Sequence, residues 1–333
     1  MDRRVTPIER LDVEAAVLLR EHPPVWRDPN KRVVFEIACP PASVHRGRIG
    51  FTRWNAMALP ASVEPARTGV IGSRPGFYDY VPVLDPANAV EWHVNFADPR
   101  LFVAYGSSLF AQDEMQVAEH PALGALRESL ETAGVRSTTL DRDGPTPVLV
   151  TGVERRVSIA TDPNRGAGRP GGLYGNAFAR ADPEVVRKAT NRIDPPTISN
   201  LIAMSAPPGG YGRYRQDVIE SILVTAYTGF RAAVLESARL RGEGTRVAVH
   251  TGYWGCGAFG GNRVLMALIQ VVAAQMAGLD RIVFHTGGPG GDEPLGKGSG
   301  VLRDLCGNGW IETLDLTKEL VGLNFEWGMS DGN

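Results

Sequence analysis

Apolar positions fall into helical spacing in some stretches and into short continuous runs in others, and the alternation of the two predicts an α/β chain. Residues 8–22 read as an amphipathic helix that the pair Pro23-Pro24 ends. Val33-Val-Phe-Glu-Ile37 reads as a strand, and residues 40–90, rich in Pro, Gly and short apolar runs, as irregular structure. From Trp92 the pattern sharpens: strand Trp92–Ala97, short helix Gln112–Glu119, helix Leu123–Ala133 and buried strand Pro147–Val150. Gly/Pro-rich loops at 163–173 and 206–213 interrupt it. A long helix then runs from Gln216 to Leu240, with Ile219, Ile222, Leu223, Ala226, Phe230, Ala233 and Val234 on one stripe. Last comes a strand–loop–helix–strand unit at 246–286, whose order predicts a right-handed parallel crossover with ligand at the carboxyl ends of the strands. The glycine-rich run from Thr286 to Gly300 reads as a mobile loop.

The loop inside that last unit carries the most chemistry. His250-Thr-Gly-Tyr-Trp-Gly-Cys-Gly-Ala-Phe-Gly-Gly-Asn262 joins the apolar run Arg246–His250 to the helix-forming run Val264–Ala277. Glycines at a helix start let an anion approach the backbone N–H groups and the positive end of the helix dipole. A tight strand-to-helix turn would also use glycine, but Gly255, Gly257, Gly260 and Gly261, interleaved with Trp254 and Phe259, exceed what a turn needs. The segment Gly255–Gly260 also satisfies G-x-G-x-x-G. Two features weaken a dinucleotide-binding reading: Thr251 to Trp254 separate the first glycine from the strand, and the next apolar run, Arg281–His285, ends with no carboxylate.

Thr251-Gly-Tyr-Trp-Gly-Cys-Gly-Ala-Phe-Gly-Gly261, followed by Leu265-Met-Ala-Leu-Ile-Gln270 and Ile282-Val-Phe-His-Thr286, resembles the phosphate-loop signature of the poly(ADP-ribose) glycohydrolase family. Val94-Asn-Phe-Ala-Asp98, a spacer, and then Gln112-Asp113-Glu114 resemble that family's acidic motif in order and spacing. The resemblance implies a macrodomain-like mixed sheet flanked by helices over 81–333, with a mostly helical or irregular accessory region, 1–80, packed on it. It places Glu114 as the catalytic acid/base and Asp113 beside it, with Asn95 and Asp98 showing the family's Asp and Asn exchanged. It further implies that Asp85 accepts from an adenine amino group, that Tyr174 lies over the nucleotide, and that Gln112, Asn95, Asp98, Tyr253, Gly255, Cys256, Gly257, Ala258, Phe259 and Gly260 contact substrate. Three departures stand out. Phe102-Val-Ala104 replaces the family's triple glycine, Tyr253 stands where Asn is typical, and His285-Thr-Gly-Gly288 replaces a Phe-Gly-Asp whose aromatic stacks on adenine.

Composition narrows the partners. The 333 residues are 43% apolar, enough for a sizeable core, and 35 basic against 37 acidic residues give no global pull toward nucleic acid or an anionic membrane. Three cysteines, Cys39, Cys256 and Cys306, fit no paired zinc spacing and read as reduced thiols. No apolar stretch reaches the roughly 18 residues that a membrane span needs, and a cytoplasmic location is the expectation. His93, His120, His250 and His285 show no metal spacing, so neither metal nor organic cofactor is expected.

Cleaving an O-glycosidic bond to ADP-ribose needs a proton for the leaving oxygen and a positioned water, and one carboxyl can serve both in turn. Glu114 is the candidate; without the resemblance, the pair Asp113-Glu114 reads first as an ordinary acidic helix start. An ADP-ribosyl glycohydrolase, on the polymer or a related substrate, is therefore the first reading. The alternatives are a divergent member acting on mono-ADP-ribosyl groups or small NAD-derived metabolites, an ADP-ribose-binding module without turnover, and, more weakly, a nicotinamide-dependent oxidoreductase.

Overall fold

The computed structural model describes residues 5–64, 70–288, 290–307 and 309–332. Along the chain run β1 (Glu9–Glu14), α1 (Ala15–Glu21), α2 (Pro29–Ala38), β2 (Arg48–Arg53), β3 (Ser62–Val63), β4 (Ile71–Arg74), β5 (Ala89–Phe96), α3 (Gln112–Glu119) and α4 (Ala122–Thr132). They are followed by β6 (Leu140–Asp141), β7 (Gly144–Pro145), β8 (Val148–Ile159), α5 (Asn176–Arg180), α6 (Pro183–Ala189), β9 (Thr190–Met204) and α7 (Gln216–Arg241). The last third holds β10 (Arg246–Thr251), α8 (Arg263–Ala277), β11 (Arg281–His285), α9 (Glu293–Cys306), β12 (Ile311–Glu312) and α10 (Thr313–Gly322).

Eight strands form one mixed sheet in the order β1-β2-β8-β9-β5-β10-β11-β4. Strands β9, β5, β10, β11 and β4 run parallel, whereas β1, β2 and β8 pair antiparallel and β8 joins β9 antiparallel. Side chains alternate between two covered faces, as the period of a strand demands. Leu149, Ile202 and Met204 pack with α7, α8 and α10 on one side, while Val148, Val150, Leu201 and Ala203 pack with α1 and α4 on the other. Burial on both faces accounts for the near-continuous apolar runs of the parallel strands. The α/β class and the helix-flanked mixed sheet agree with expectation, as do α3, α4, α7, and the parallel β10–α8–β11 unit.

The first eighty residues differ from expectation. Residues 9–14 are a strand rather than the start of a helix, because Leu11 and Val13 alternate with charged residues and the segment pairs along β2, Glu9 opposite Arg53. Residues 33–37 lie within helix α2, not a strand: Asp28 accepts from the N–H groups of Asn30 and Lys31, and Pro29 opens the first turn. Within 40–90, β2 and β4 are members of the main sheet, so strands from both sides of residue 80 build it. Residues 293–300 belong to α9 rather than to a loop. Helix α7 is long and apolar enough to cross a membrane by length and composition, contrary to expectation, but its stripe of Ile219, Ile222, Ala226 and Phe230 packs on the sheet.

Candidate active site

At the carboxyl ends of the parallel strands lies a cavity of about 1080 Å³. The start of α3 and the 252–259 loop both line it, so residues from the first and last thirds of the chain meet there.

Helix α3 begins at this wall because its first residues are tied to β5. Gln112 accepts from the Phe96 N–H at 2.7 Å and donates to the Val94 carbonyl at 3.1 Å, which spends its amide on the strand. Glu114 accepts from the Ala111 N–H at 3.0 Å, fixing its carboxyl at the first turn. Asn95 donates to Asp113 at 3.0 Å and to the side-chain oxygen of Gln116 at 3.0 Å. Asp113 and Glu114 are only 6% and 3% exposed, and that burial is the chief reason both carboxyls sit above their ordinary values. Repulsion from Glu114 adds to the rise at Asp113, whereas the Asn95 hydrogen bond and Lys31 oppose it. At Glu114 the largest opposing influence is Lys31.

Lys31 is the cation that sequence reasoning missed. Helix α2 carries it to full burial, where its ammonium donates to the Tyr105 carbonyl at 2.7 Å, and burial lowers its pKa to about 8. Nothing local in residues 28–32 signals a partner more than eighty positions away; only the packing of α2 on α3 reveals it.

The glycine loop forms the facing wall. Gly255 has φ +75 and Gly260 φ +61, the left-handed region that favours glycine. A Cβ on Gly255 would stand 2.5 Å from the Cβ of Ala206. Among the described residues, the N–H groups of Gly257, Ala258 and Phe259 donate to no backbone carbonyl, so they remain for an anion. The donors at the start of α8 are not free in that way, because Asn262 accepts from Val264 and Leu265. The donors left over on this wall therefore belong to the loop and not to the start of α8. Arg263 lines the cavity beside it, 5.4 Å from the centre of the Tyr253 ring, a second cation absent from the expected set. Gly255→Ala is expected to lower stability by about 1–3 kcal/mol through the combined strain and clash. Thermal unfolding checks it, and an unchanged midpoint would show that the loop accommodates the methyl group.

Of the expected contacts, Asp98, Gln112, Asp113, Glu114, Tyr174, Tyr253, Gly255, Cys256, Gly257, Ala258 and Phe259 all line the cavity. Three expected contacts stand elsewhere. Asn95 is fully buried behind Asp113 and positions it. Asp85 is exposed in a turn, where it accepts from Ala87 N–H and Asn88. Gly260 turns inward beneath Gly328. Cys256 is pushed up to about 12 by burial, so it is a packed thiol and no nucleophile.

In the stretch that replaces the expected triple glycine, Phe102 has a left-handed backbone at φ +53 with its ring fully buried. Val103 and Ala104 then line the cavity. The four unassigned histidines also converge partly. His93 stacks between Tyr80 and His250, 4.3 and 4.5 Å from their ring centres, and His250 bridges Glu91 at 2.8 Å and His285 at 3.0 Å. Neighbouring places on β5, β10 and β11 bring them together. No metal-binding cluster forms among the described residues.

Residues 174–290 match the family model described as Poly (ADP-ribose) glycohydrolase (PARG), Macro domain fold. The matched residues hold Tyr174 and the glycine loop; Asp113 and Glu114 lie before them. Among solved structures, the poly(ADP-ribose) glycohydrolase of Thermomonospora curvata aligns at 13% identity over 81% of this chain and 98% of its own, with a TM-score of 0.46. The same enzyme bound to the inhibitor ADP-HPD aligns at 15% identity over 68% and 77%, TM-score 0.41. The Deinococcus radiodurans enzyme in complex with ADP-ribose aligns at 18% identity over 65% and 74%, TM-score 0.37.

Proposed function

We propose, from the match of residues 174–290 to the poly(ADP-ribose) glycohydrolase family model, that this chain is a divergent relative of those enzymes and hydrolyses an O-glycosidic bond to ADP-ribose. The observation that carries the proposal is the shared cavity: a buried carboxyl, Glu114, faces a loop with unspent backbone donors at Gly257, Ala258 and Phe259.

In this reading the loop amides and Arg263 hold the diphosphate, and the ribose reaches across the cavity to Glu114. Burial keeps Glu114 protonated above the ordinary carboxylate range, the state a general acid needs. It gives its proton to the leaving oxygen as the glycosidic bond breaks. The resulting carboxylate then takes a proton from the water that attacks the anomeric carbon, which restores the acid and leaves a hydroxyl on the anomeric carbon of the released ADP-ribose. Asp113, held by Asn95, keeps a second carboxyl against the pair, and Lys31 supplies the balancing charge as Glu114 ionises.

Val103 and Ala104 favour one narrower version of this activity. Their side chains occupy wall positions where the related motif has glycine, and so restrict the room beside the scissile bond. A single ADP-ribosyl unit on a protein or small molecule fits that restriction better than the interior of a polymer. Incubation with poly(ADP-ribose) and with a mono-ADP-ribosylated peptide, followed by chromatography of free ADP-ribose, separates the two. Release is expected from the peptide at the higher rate. Tight calorimetric binding of ADP-ribose with no release from either substrate would instead identify a binding module.

A further inference from the structure

Residues 325–331 form a strap across the glycine loop, and nothing in the hydrolysis scheme uses it. Trp327 anchors the strap by stacking on Tyr214, with ring centres 4.2 Å apart and planes 15° from parallel, while the Trp327 N–H donates to the Gly212 carbonyl at 2.9 Å. From that anchor the chain follows the loop closely. Asn262 donates to the Glu326 carbonyl at 2.9 Å, Gly328 N–H donates to the Gly260 carbonyl at 2.7 Å, and Asp331 N–H reaches the Gly257 carbonyl at 3.4 Å.

The last contact sets the Asp331 side chain on the loop. A Cβ built on Gly257 would lie 3.0 Å from a carboxylate oxygen of Asp331, and Asp331 lines the same cavity as Glu114 and Tyr174. A carboxylate therefore stands against the part of the loop whose amides at 257–259 have no backbone acceptor. Between anchor and carboxylate the strap is held by backbone contacts alone at Gly328, and the Met329 side chain is 93% exposed.

We propose that the strap is an autoinhibitory cover, in which the Asp331 carboxylate occupies the side of the loop where a ligand's diphosphate sits and must withdraw before that ligand seats. The inference rests on the reading of residues 255–259 as a diphosphate seat. Two anions cannot share these donors without repulsion in a partly buried site, so entry of the ligand and departure of Asp331 are one equilibrium. The observed affinity is the intrinsic affinity reduced by the fraction of molecules with the strap open.

Full-length wild type, Asp331→Asn and Trp327→Ala are titrated by calorimetry with ADP-ribose and, separately, with inorganic pyrophosphate, at low and high salt. Both variants are expected to bind pyrophosphate and ADP-ribose about tenfold more tightly than wild type. The Asp331→Asn advantage shrinks at high salt, because it comes from removing a charge. Unchanged or weaker affinity in either variant overturns the cover; weaker binding by Asp331→Asn would make the carboxylate a ligand contact. Tighter pyrophosphate binding by both variants, with no ADP-ribose binding by any protein, sustains the cover and sinks the ADP-ribose reading. Absence of binding to either probe sinks both.

Discussion

Glu114→Gln is expected to lower the rate of ADP-ribose release by about 100- to 10,000-fold, the range that a positioned acid/base group contributes. The amide has nearly the shape of the carboxyl and can still accept the Ala111 N–H, so the first turn of α3 keeps its place. It cannot deliver a proton to the leaving oxygen or take one from water. ADP-ribose affinity should stay within about threefold of wild type, because the proposed diphosphate seat is on the opposite wall of the cavity. Single-turnover release measured beside calorimetric binding checks both halves. Retained release would remove Glu114 from the chemistry, and lost binding would show that it holds the nucleotide instead.

Lys31→Met is expected to destabilise the protein by about 3 kcal/mol near neutral pH, since removal of one member of a buried charged group leaves the others uncompensated. Lys31 is fully buried and is the main influence opposing the rise of the Glu114 pKa. Without it, Asp113 and Glu114 hold their protons to higher pH in the folded state than in the unfolded one. The unfolded state then binds fewer protons across the window from the ordinary carboxylate value upward, so stability falls as pH rises through it. Wild-type Lys31 acts in the opposite direction: its folded pKa is lowered to about 8 from 10.5, so this group adds stability as pH rises between those values. The gap between variant and wild type is therefore smallest near pH 4 and widens toward alkaline pH. Denaturant unfolding at a series of pH values measures it. The same variant should carry the alkaline limb of the rate profile to higher pH, because Glu114 stays protonated longer. A pH-independent loss of stability would reduce Lys31 to a packing residue.

Helix α3, helix α8 and the loop between β10 and α8 were legible in sequence because each signal is local. Asp113 and Glu114 open a helix, and the glycines at 255, 257, 260 and 261 sit between an apolar strand and an apolar helix. The residues that complete the site were not legible, for one physical reason. Lys31, Arg263 and Asp331 matter through contacts that packing creates, and their neighbours in sequence carry no trace of those contacts. Val33–Ile37 has an apolar run that suits a strand, yet the Asp28-Pro29 start overrides it, and that small signal at the N-terminus of α2 decides where Lys31 points. Residues 9–14 fit both a helical and an alternating pattern, and pairing with β2 chose the strand. Asp85 failed for the complementary reason: the right residue type at a matching distance from Asn95 folds into an exposed turn away from the cavity.

A crystal structure of the protein soaked with ADP-ribose bears hardest on the hydrolysis proposal. It should show the diphosphate on the backbone amides of residues 257–259, the anomeric hydroxyl within about 3.2 Å of a Glu114 carboxyl oxygen, and Asp331 moved off the loop. Nucleotide seated elsewhere, or seated on the loop with its anomeric carbon directed away from Glu114, would contradict it.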